Sequence, residues 1–600
     1  MLMHWVDWLI VIGFSLLILG VGVLVSRKAG SSTAEFFLGG RTMPFWLLGI
    51  SMVATTFSAD TPNLVTDIVR THGVAGNWVW WAFLLTGMLT VFVYAKLWRR
   101  SGVMTDIEFY ELRYSGPEAA FLRGFRAIYL GVFFNVLVMA TVSLAAIKIG
   151  GVLLNLSPVK SIAFAMLITV IYCSMGGLRS VLITDFILFG FAMAGAIVAA
   201  VIVCRMPQVG GLSGLFSHPQ VHEKLSMIPV FSDADSFWKV FVPVLLIPIA
   251  VQWWSVWYPG SEPGGGGYQV QRILSAKNEK HAMGATLLFN ACHYALRPWP
   301  WILVALASMI VFPDLESIRQ RFPNVPENII RNDIAYPAML TYLPTGVLGM
   351  VVASLVAAYM STIASHLNWG ASYVVNDFYK RFIQPDATEK ELVRVGRIST
   401  VVLLALSAVI ALIAENALQM FDYLLLIGAG TGLIFILRWF WWRINAWTEM
   451  TGMVVSGVVG FYLVFVHQRL GFEPIASHWR LVIGVAITTA CWLAVTLLTR
   501  PSQDAVLRRF FRLVRPGGPG WKAVIAQAAA DNDPITERAR RGDLPRGILC
   551  MVVGCVAVYS VVFATGFFLY GQILYGVIGA AIAAAAILFL VSIWGKLEMK

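Results

Sequence analysis

Long apolar runs, separated by short polar connections, follow one another along the whole chain. A helix needs about 20 mostly apolar residues to cross the hydrocarbon core of a bilayer. The pattern predicts about fifteen such spans, near residues 5–26, 44–69, 77–96, 127–150, 161–175, 181–204, 238–259, 283–312, 338–370, 398–414, 418–437, 447–467, 481–499, 547–570 and 573–595. The fold class is therefore an all-α polytopic membrane protein.

Composition and charge agree with a membrane protein and predict its orientation. The 600 residues are 58% hydrophobic and only 13% charged, which excludes a water-soluble domain, where about 25% is usual. Most of the 44 Lys and Arg lie in loops on one predicted side, so the N-terminus is expected outside and the C-terminus in the cytoplasm. The most basic loop, 500–546, suits anionic inner-leaflet lipid, and no nucleic-acid partner is predicted.

The chain lacks the sequence motifs that several classes of protein require. The chain contains no GxxxxGK[ST] phosphate-binding loop, which argues against a pump driven by its own ATP hydrolysis. It has no HExxH or comparable pattern, so an intramembrane enzyme is not expected. No connection is long enough for a kinase-sized domain, which argues against a membrane sensor fused to a signalling enzyme.

Polar residues interrupt the second span. Pro62 removes a backbone donor and disfavours helix at Thr61, while Asp60 places a carboxylate inside an apolar helix. A charge near the membrane centre costs about 2.5 to 3.5 kcal/mol, so Asp60 is expected to face a partner or a transport pathway. The alternative is that Asp60 lies near the outer interface and caps the half-helix that follows.

A second interruption occurs five spans later, in the segment IAVQWWSVWYPGSEPGGGG. Two Pro/Gly-interrupted helices at matching positions are typical of inverted-repeat secondary transporters, whose binding site lies where the repeats meet. The Gly run 264–267 within this segment is expected to be a flexible inner loop.

Hydroxyl groups and a carboxylate lie at depth in two further spans. Ala358, Ser361, Thr362 and Ser365 share one face of the ninth predicted helix. Such hydroxyls, together with carbonyls of an unwound helix, form a neutral oxygen cage for a hard monovalent cation; alternatively they hold packed helices together. Asp185 lies just inside the membrane boundary, where a cation is its natural partner.

Four stretches of this sequence resemble the sodium/solute symporter family, which includes the sodium/glucose, sodium/proline and sodium/sialic acid cotransporters. They are EFFLGGRTMPFWLLGISMVATTFSADT, YCSMGGLRSVLITD, YQVQRILSAKNEKHA and AAYMSTIASHLNWGASYVVNDFYKRFI. They occur in the family's order between residues 35 and 383, and the hydrophobic pattern extends the resemblance to about residue 500.

The resemblance implies a leucine-transporter-like fold, with a leading helix, ten core helices in two inverted five-helix repeats and several trailing helices. The corresponding division is 1–43 for the leading helix and inner loop, 44–440 for the transport core, 441–499 for two additional helices, 500–546 for the basic cytoplasmic loop and 547–600 for two C-terminal helices.

The resemblance also implies ion ligands. The main sodium site would use carbonyls of Ala54 and Phe57 from the first core helix, and the carbonyl of Ala358 with the hydroxyls of Ser361 and Thr362 from the eighth. A possible second sodium site would use Asp185, Ser361 and Ser365. Ala364 stands where some relatives have another hydroxyl, so the number of sodium ions stays open.

Substrate contacts are implied less directly. By position, the polar wall would include Asp60, Thr61, Gln252 and Arg297, and the aromatic wall or gate Trp80, Trp254 and Trp257. An arginine can hold a carboxylate with two hydrogen bonds, so Arg297 suggests an anionic solute; the alternative is a pair with Asp60. For Trp80 the alternative is anchoring at the lipid interface.

These observations predict a sodium-coupled symporter that imports a small polar organic solute, sugar-like or carboxylated, by alternating access. Sugars, sugar acids, organic anions and amino acids remain open. A proton-coupled transporter of the same fold, using Asp60 or Asp185, and a membrane solute sensor are the alternatives. Na⁺ is the coupling ion, no cofactor or enzyme activity is expected, and a bacterial inner membrane is the expected location.

Overall fold

The computed structural model describes residues 3–25, 32–175, 177–255, 263–413, 426, 428, 430–535 and 543–597. Within these residues the secondary structure is helical, and the one β-type contact is an isolated bridge between Met43 and Ala276. A helix pairs its own backbone N–H and C=O groups, as the hydrocarbon of a bilayer requires. The predicted all-α class is confirmed.

Nineteen helices position the site and its surroundings. In chain order they are α1 (Trp5–Val25), α2 (Phe45–Thr56), α3 (Thr61–His72), α4 (Val74–Ser101), α5 (Pro117–Leu154), α6 (Pro158–Met175), α7 (Leu178–Cys204), α8 (Ala234–Trp254), α9 (Gly267–Ser275), α10 (Glu279–Val311), α11 (Val347–Ile383), α12 (Glu389–Ala411), α13 (Gly432–Leu437), α14 (Ala446–Val466), α15 (Ser477–Leu498), α16 (Asp504–Val514), α17 (Lys522–Ala530), α18 (Leu544–Leu569) and α19 (Ile573–Trp594).

Twelve of the described helices are long and apolar enough to cross a membrane, so the expected count of about fifteen is not confirmed. Three of the fifteen expected spans are not among these twelve helices. The span at 44–69 is divided into α2 and α3, and the span at 161–175 belongs to the shorter apolar helix α6. Half of the span at 418–437 lies outside the described residues.

Two broken helices divide the core into corresponding halves. The first break separates α2 from α3 and is followed by four helices, α4 to α7. The second separates α8 from α9 and is followed by α10, α11, α12 and α13. The spacing of the two breaks along the chain is therefore the one that the sequence pattern indicates for two repeats.

The half-helix α2 is enclosed by α7, α10 and α11. Its approach to α10 is close, because a Cβ on Gly49 would lie only 2.8 Å from the carbonyl oxygen of Ala285. The leading helix α1 packs on α7 and α11, and the carboxylate of Asp7 accepts hydrogen bonds from the backbone N–H groups of Gly346 (2.7 Å) and Gly349 (2.8 Å). Asp7 thereby caps the start of α11.

The glycine run 264–267 is packed rather than flexible, so that expectation is wrong. Gly264 and Gly265 have φ values of 82° and 94°, which side chains rarely tolerate. The carbonyl of Gly264 accepts a hydrogen bond from the Trp98 indole N–H at 2.8 Å, and the Gly267 N–H donates to Asp106 at 2.8 Å. The glycines allow the backbone to pass close to buried aromatic rings and then start α9.

The basic loop 500–546 contains a folded unit, formed by α16 and α17, that packs on the core. Phe510, Phe511 and Trp521 are buried, and the Trp521 indole N–H donates to the carbonyl of Trp439 at 2.9 Å. Arg508 forms ion pairs with neighbouring aspartates of the same unit. Part of the basic charge of this loop is therefore balanced within the loop and is not turned toward lipid.

Candidate functional site

The break between α2 and α3 is held by the side chain of Thr61. Helix α2 ends at Thr56, and Phe57 leaves the helical region with φ −86° and ψ 76°. The Thr61 hydroxyl accepts a hydrogen bond from the Ser58 N–H (3.3 Å) and donates one to the Thr56 carbonyl (3.2 Å). Pro62 is the second residue of α3, in the first turn, where its missing N–H is not needed. At the break the carbonyl of Ala54 accepts a short-range bond from the Phe57 N–H at 3.1 Å, and the carbonyls of Thr55 and Thr56 accept from the hydroxyls of Thr362 and Thr61.

The five residues of the predicted main sodium site lie around the contact between α2 and α11. The Thr362 hydroxyl donates a hydrogen bond to the carbonyl of Thr55 at 2.8 Å, so α11 meets α2 between Ala54 and Phe57. Ala358, Ser361 and Thr362 are all buried on this face of α11. The structure therefore brings the hydroxyl groups of one repeat to the broken end of the other.

The residues of the possible second sodium site form one buried hydrogen-bonded cluster. Asp185 on α7 accepts hydrogen bonds from the hydroxyls of Ser361 (2.6 Å) and Ser51 (2.5 Å). Ser365 lies in the same cluster, because its hydroxyl pairs with that of Thr55 at 2.8 Å. These contacts join α7 and α11 to α2 through side chains that are inaccessible to solvent.

Arg272 on α9 places a positive charge within this cluster, and the sequence reasoning did not single it out. Its guanidinium donates to the hydroxyls of Ser365 (2.6 Å) and Ser51 (3.2 Å) and lies 3.9 Å from a carboxylate oxygen of Asp185. Both charged side chains are fully buried. The available signal was a lone arginine in the otherwise uncharged segment 268–276, but its partners could be found only from the packing of α9 on α2.

A second buried arginine, Arg297 on α10, contacts the last residue of α2. Its guanidinium donates to the Thr56 hydroxyl (3.1 Å) and to the carbonyl of His293 (3.1 Å), and contacts the ring of His293 at 2.8 Å. It also lies over the ring of Trp301, 5.4 Å from the centroid. Among the described residues Arg297 forms no direct ion pair with a carboxylate, but Asp60 is near enough for the two charges to interact.

The tautomer of His293 follows from this arrangement. An arginine only donates, so the ring nitrogen Nε2 at 2.8 Å from Arg297 must accept. The proton is then on Nδ1, which donates to the Thr56 hydroxyl at 3.0 Å. Thr56 and His293 were not predicted as site residues, because they are separated by 237 positions and meet only through the packing of α2 against α10.

Polar atoms without partners surround the start of α3. Among the described residues, no hydrogen bond reaches the buried Ser58 hydroxyl, one carboxylate oxygen of Asp60 or the side-chain amide of Asn63. Buried polar groups are nearly always hydrogen-bonded to protein, water or a ligand. Hydrogen-bonding capacity is therefore left at these three residues, close together at the start of α3.

Trp80 belongs to the same region and not to the lipid interface. It is 6% exposed, stacks on Tyr294 with ring centroids 5.9 Å apart, and meets the ring of His293 edge-on at 5.8 Å. Its indole N–H donates to Asn77 at 2.8 Å. This burial contradicts the lipid-anchor alternative for Trp80 and places its ring next to a partner of Arg297.

The remaining predicted substrate residues are dispersed. Gln252 is buried at the end of α8, where its amide donates to the carbonyl of Val79 at 2.6 Å. The Trp254 ring packs in a separate apolar cluster with Leu481 and Val485 of α15, so the structure does not bring it to Arg297. Trp257 lies outside the described residues.

Comparisons with known proteins agree on one family. The family model described as "Sodium:solute symporter family" matches residues 36–456. A sodium/glucose cotransporter of Vibrio parahaemolyticus is 27% identical over 487 residues, covering 78% of this chain and 87% of the relative. Sodium/glucose cotransporter 4 of Danio rerio is 28% identical, with 84% and 80% covered. A solved Na⁺-coupled sialic acid symporter shares the fold, with a TM-score of 0.65 at 20% identity, over 83% of this chain and 99% of that one.

Proposed function

Because the chain belongs to the sodium:solute symporter family, we propose a route by which its residues couple Na⁺ movement to solute movement. The chain is an integral, multi-pass membrane protein and a sodium-coupled symporter of a small solute. The proposal concerns which residues hold the ion, which hold the solute and what kind of solute is carried. It assigns transport alone to the chain and no catalytic step.

The proposed sodium site is the contact of α2 with α11. Its ligands are the carbonyl oxygens of Ala54, Phe57 and Ala358 and the hydroxyls of Ser361 and Thr362. The observation that supports it is the 2.8 Å hydrogen bond from the Thr362 hydroxyl to the carbonyl of Thr55, which sets this face of α11 against the end of α2. Neutral oxygen ligands suit a hard monovalent cation, and the unwound end of α2 supplies carbonyls that a regular helix would use itself.

Na⁺ at this contact would brace α2 against the opposite repeat. Inward opening would separate α2 from α11, remove ligands from one side of the ion and release it. The membrane potential adds about 2.3 kcal/mol per charge for every 100 mV to the force that drives Na⁺ inward. Solute bound at the same break would be released by the same separation, which couples the two movements.

For the solute we propose a polyhydroxylated compound that carries a carboxylate, such as a sugar acid. The observation that carries this proposal is Arg297, a buried cation with no direct ion pair to a carboxylate among the described residues. Its remaining N–H donors can hold a carboxylate, for which a guanidinium has the right geometry. The unpartnered atoms of Ser58, Asp60 and Asn63 can hydrogen-bond hydroxyl groups, and the Trp80 ring offers an apolar face.

The experiment compares D-glucose with D-glucuronate, which differ in a single carboxylate. Each compound is added to the purified protein with and without Na⁺, and the melting temperature is measured, because a ligand that binds the native state raises its stability. We expect glucuronate to raise the melting temperature more than glucose, and more with Na⁺ than without. The variant Arg297→Gln should lose the preference, while Arg70→Gln, which alters an arginine outside the site, should keep it.

A stronger response to glucose than to glucuronate, unchanged in Arg297→Gln, would overturn the assignment of a carboxylated solute. It would leave the sodium site untouched. Uptake of the stabilising compound into proteoliposomes under a sodium gradient then measures transport directly.

The orientation of the protein in the membrane, and the membrane in which it lies, are proposed from the distribution of its charges. We propose that the N-terminus lies outside and the C-terminus in the cytoplasm of a bacterial inner membrane, since most cations fall on the side that this orientation makes cytoplasmic. Na⁺ is the proposed coupling ion, with no further cofactor and no nucleic-acid partner. Accessibility of single cysteines placed in exposed loops to a membrane-impermeant reagent tests the orientation.

A further inference from the structure

A large apolar groove lies outside the proposed transport pathway. It runs between α10 and the C-terminal helices α18 and α19 and encloses a cavity of about 940 Å³. Its walls include Leu287, Leu288, Ala557, Val561, Leu590 and Val591. The groove is open on the side of the helices that is expected to face the bilayer.

Water is a poor occupant of this groove. An internal water needs two to four polar partners, and cavities lined by apolar side chains stay dry. The polar side chains that line the groove, Lys280 and His281, lie together at the start of α10. The rest of the lining offers only hydrocarbon contacts, which suits a long alkyl chain with its polar end next to Lys280.

The polar end of the groove is positively charged. Lys280 is exposed and forms no ion pair among the described residues, and exposed Lys596 follows Gly595, which also lines the groove. The neighbouring carboxylate, Glu279, is already engaged by Arg100 at 2.9 Å. In the proposed orientation this end lies at the inner leaflet, where anionic lipid headgroups are found.

We propose that this groove is a binding site for an anionic phospholipid of the inner leaflet. One or both acyl chains occupy the apolar channel, and the phosphate lies against Lys280 and Lys596. The site combines an apolar channel with cations at one end. This arrangement is complementary to the apolar chains and the anionic headgroup of such a phospholipid.

The groove also touches the helix that carries the proposed sodium ligands. Phe45, the first residue of α2, lines it, and the Phe45 N–H donates to the His281 ring at 3.0 Å. The phosphate would lie near the positive end of the α2 dipole. Bound lipid would therefore hold α2 against α10 and oppose inward opening. This effect on transport rests on the proposed function and the choice of leaflet rests on the proposed orientation, whereas lipid binding itself rests on neither.

The test measures lipid retention without Na⁺ or solute. The purified full-length protein is incubated with phosphatidylglycerol or phosphatidylcholine of identical acyl chains, and bound lipid is counted by native mass spectrometry. We expect one phosphatidylglycerol to remain bound after phosphatidylcholine has dissociated. A lysine near an anionic headgroup contributes about 1 kcal/mol to binding, so Lys280→Gln should retain phosphatidylglycerol about fivefold more weakly.

Matched variants separate this site from general lipid contact. Val591 lines the groove and is 68% exposed, so Val591→Trp should block the channel and abolish retention. Val577 is 53% exposed on the same helix outside the groove, and Val577→Trp should retain lipid, as should Lys522→Gln on the inner loop. The proposal would be overturned if the protein retained the two lipids equally, or if the groove and control variants lost bound lipid equally. Either result would mean that the bound lipid is annular only.

Discussion

At the scale of single residues, Asp185 and Arg272 carry opposite charges in a place that neither solvent nor headgroups reach. Their charges are linked by Ser51, which accepts from Arg272 and donates to Asp185. A buried charge left without its partner typically costs 3 to 5 kcal/mol, whereas removing both partners costs much less. The role of Asp185 and Ser365 as ligands of a second sodium ion stays a prediction.

We expect Asp185→Asn and Arg272→Gln each to lower the stability of the protein by about 3 kcal/mol, and the double variant by less than the sum. Thermal unfolding of the four proteins in detergent measures this. Additive losses would show that the two residues do not act as a pair.

The sequence identified most polar residues of the site but not how they are connected. Asp60, Asp185 and Arg297 stand out because ionisable residues are rare at membrane depth. Arg272, Thr56 and His293 do not stand out, because their importance comes from contacts with distant helices, such as Arg272 with Ser51 and Thr56 with His293. Such contacts are set by helix packing, which spacing along the chain does not encode.

At the scale of helices, the break in the first core helix depends on Thr61 as well as on Pro62. The proline was visible in the sequence and explains why the helix stops. The threonine hydroxyl, which bonds the backbone of Thr56 and Ser58, has this structural role in addition to the solute contact that the sequence predicts for it. Both roles are compatible, because the hydroxyl lies beside the unpartnered atoms of residues 58–63.

Replacing Thr61 by Val keeps the branched shape and removes the hydroxyl. We expect a loss of stability of about 1 to 2 kcal/mol, since two backbone groups at the break lose their partner. Thr61→Ser should restore most of the stability. Melting temperatures of the three proteins measure the effect, and equal values for Val and Ser would contradict this role for the hydroxyl.

The helices themselves were predictable, and their irregularities were not. The leucine-transporter-like fold implied by the four stretches is confirmed by the likeness to the sialic acid symporter. The dense packing at Gly264 and Gly265 was missed, because a glycine run reads equally as a flexible loop or as a close approach of backbone to aromatic rings.

At the scale of the whole molecule, the basic loop is part of the folded core and not a loose tail. Arg113, between α4 and α5, lies over the rings of Phe510 and Trp521 at 5.3 and 5.0 Å and donates to the carbonyl of Arg438. Charge alone predicted the side on which this loop lies. It could not predict the docking, which depends on three buried aromatic side chains.

Trp521→Ala should therefore destabilise the entire protein. Removal of a buried aromatic side chain typically costs 3 to 5 kcal/mol. Trp447→Ala is the matched control, because Trp447 is 50% exposed and should change the melting temperature little. If both variants melt like the original protein, the loop does not contribute to the stability of the core.

The central claim is that Na⁺ binds where α2 meets α11. Equilibrium binding of ²²Na⁺ to the purified protein tests it without any knowledge of the solute. We predict that Ser361→Ala/Thr362→Ala weakens binding by at least about tenfold, or about 1.4 kcal/mol, while Ser372→Ala on the same helix leaves it unchanged. Unchanged Na⁺ affinity in the folded double variant would contradict the account.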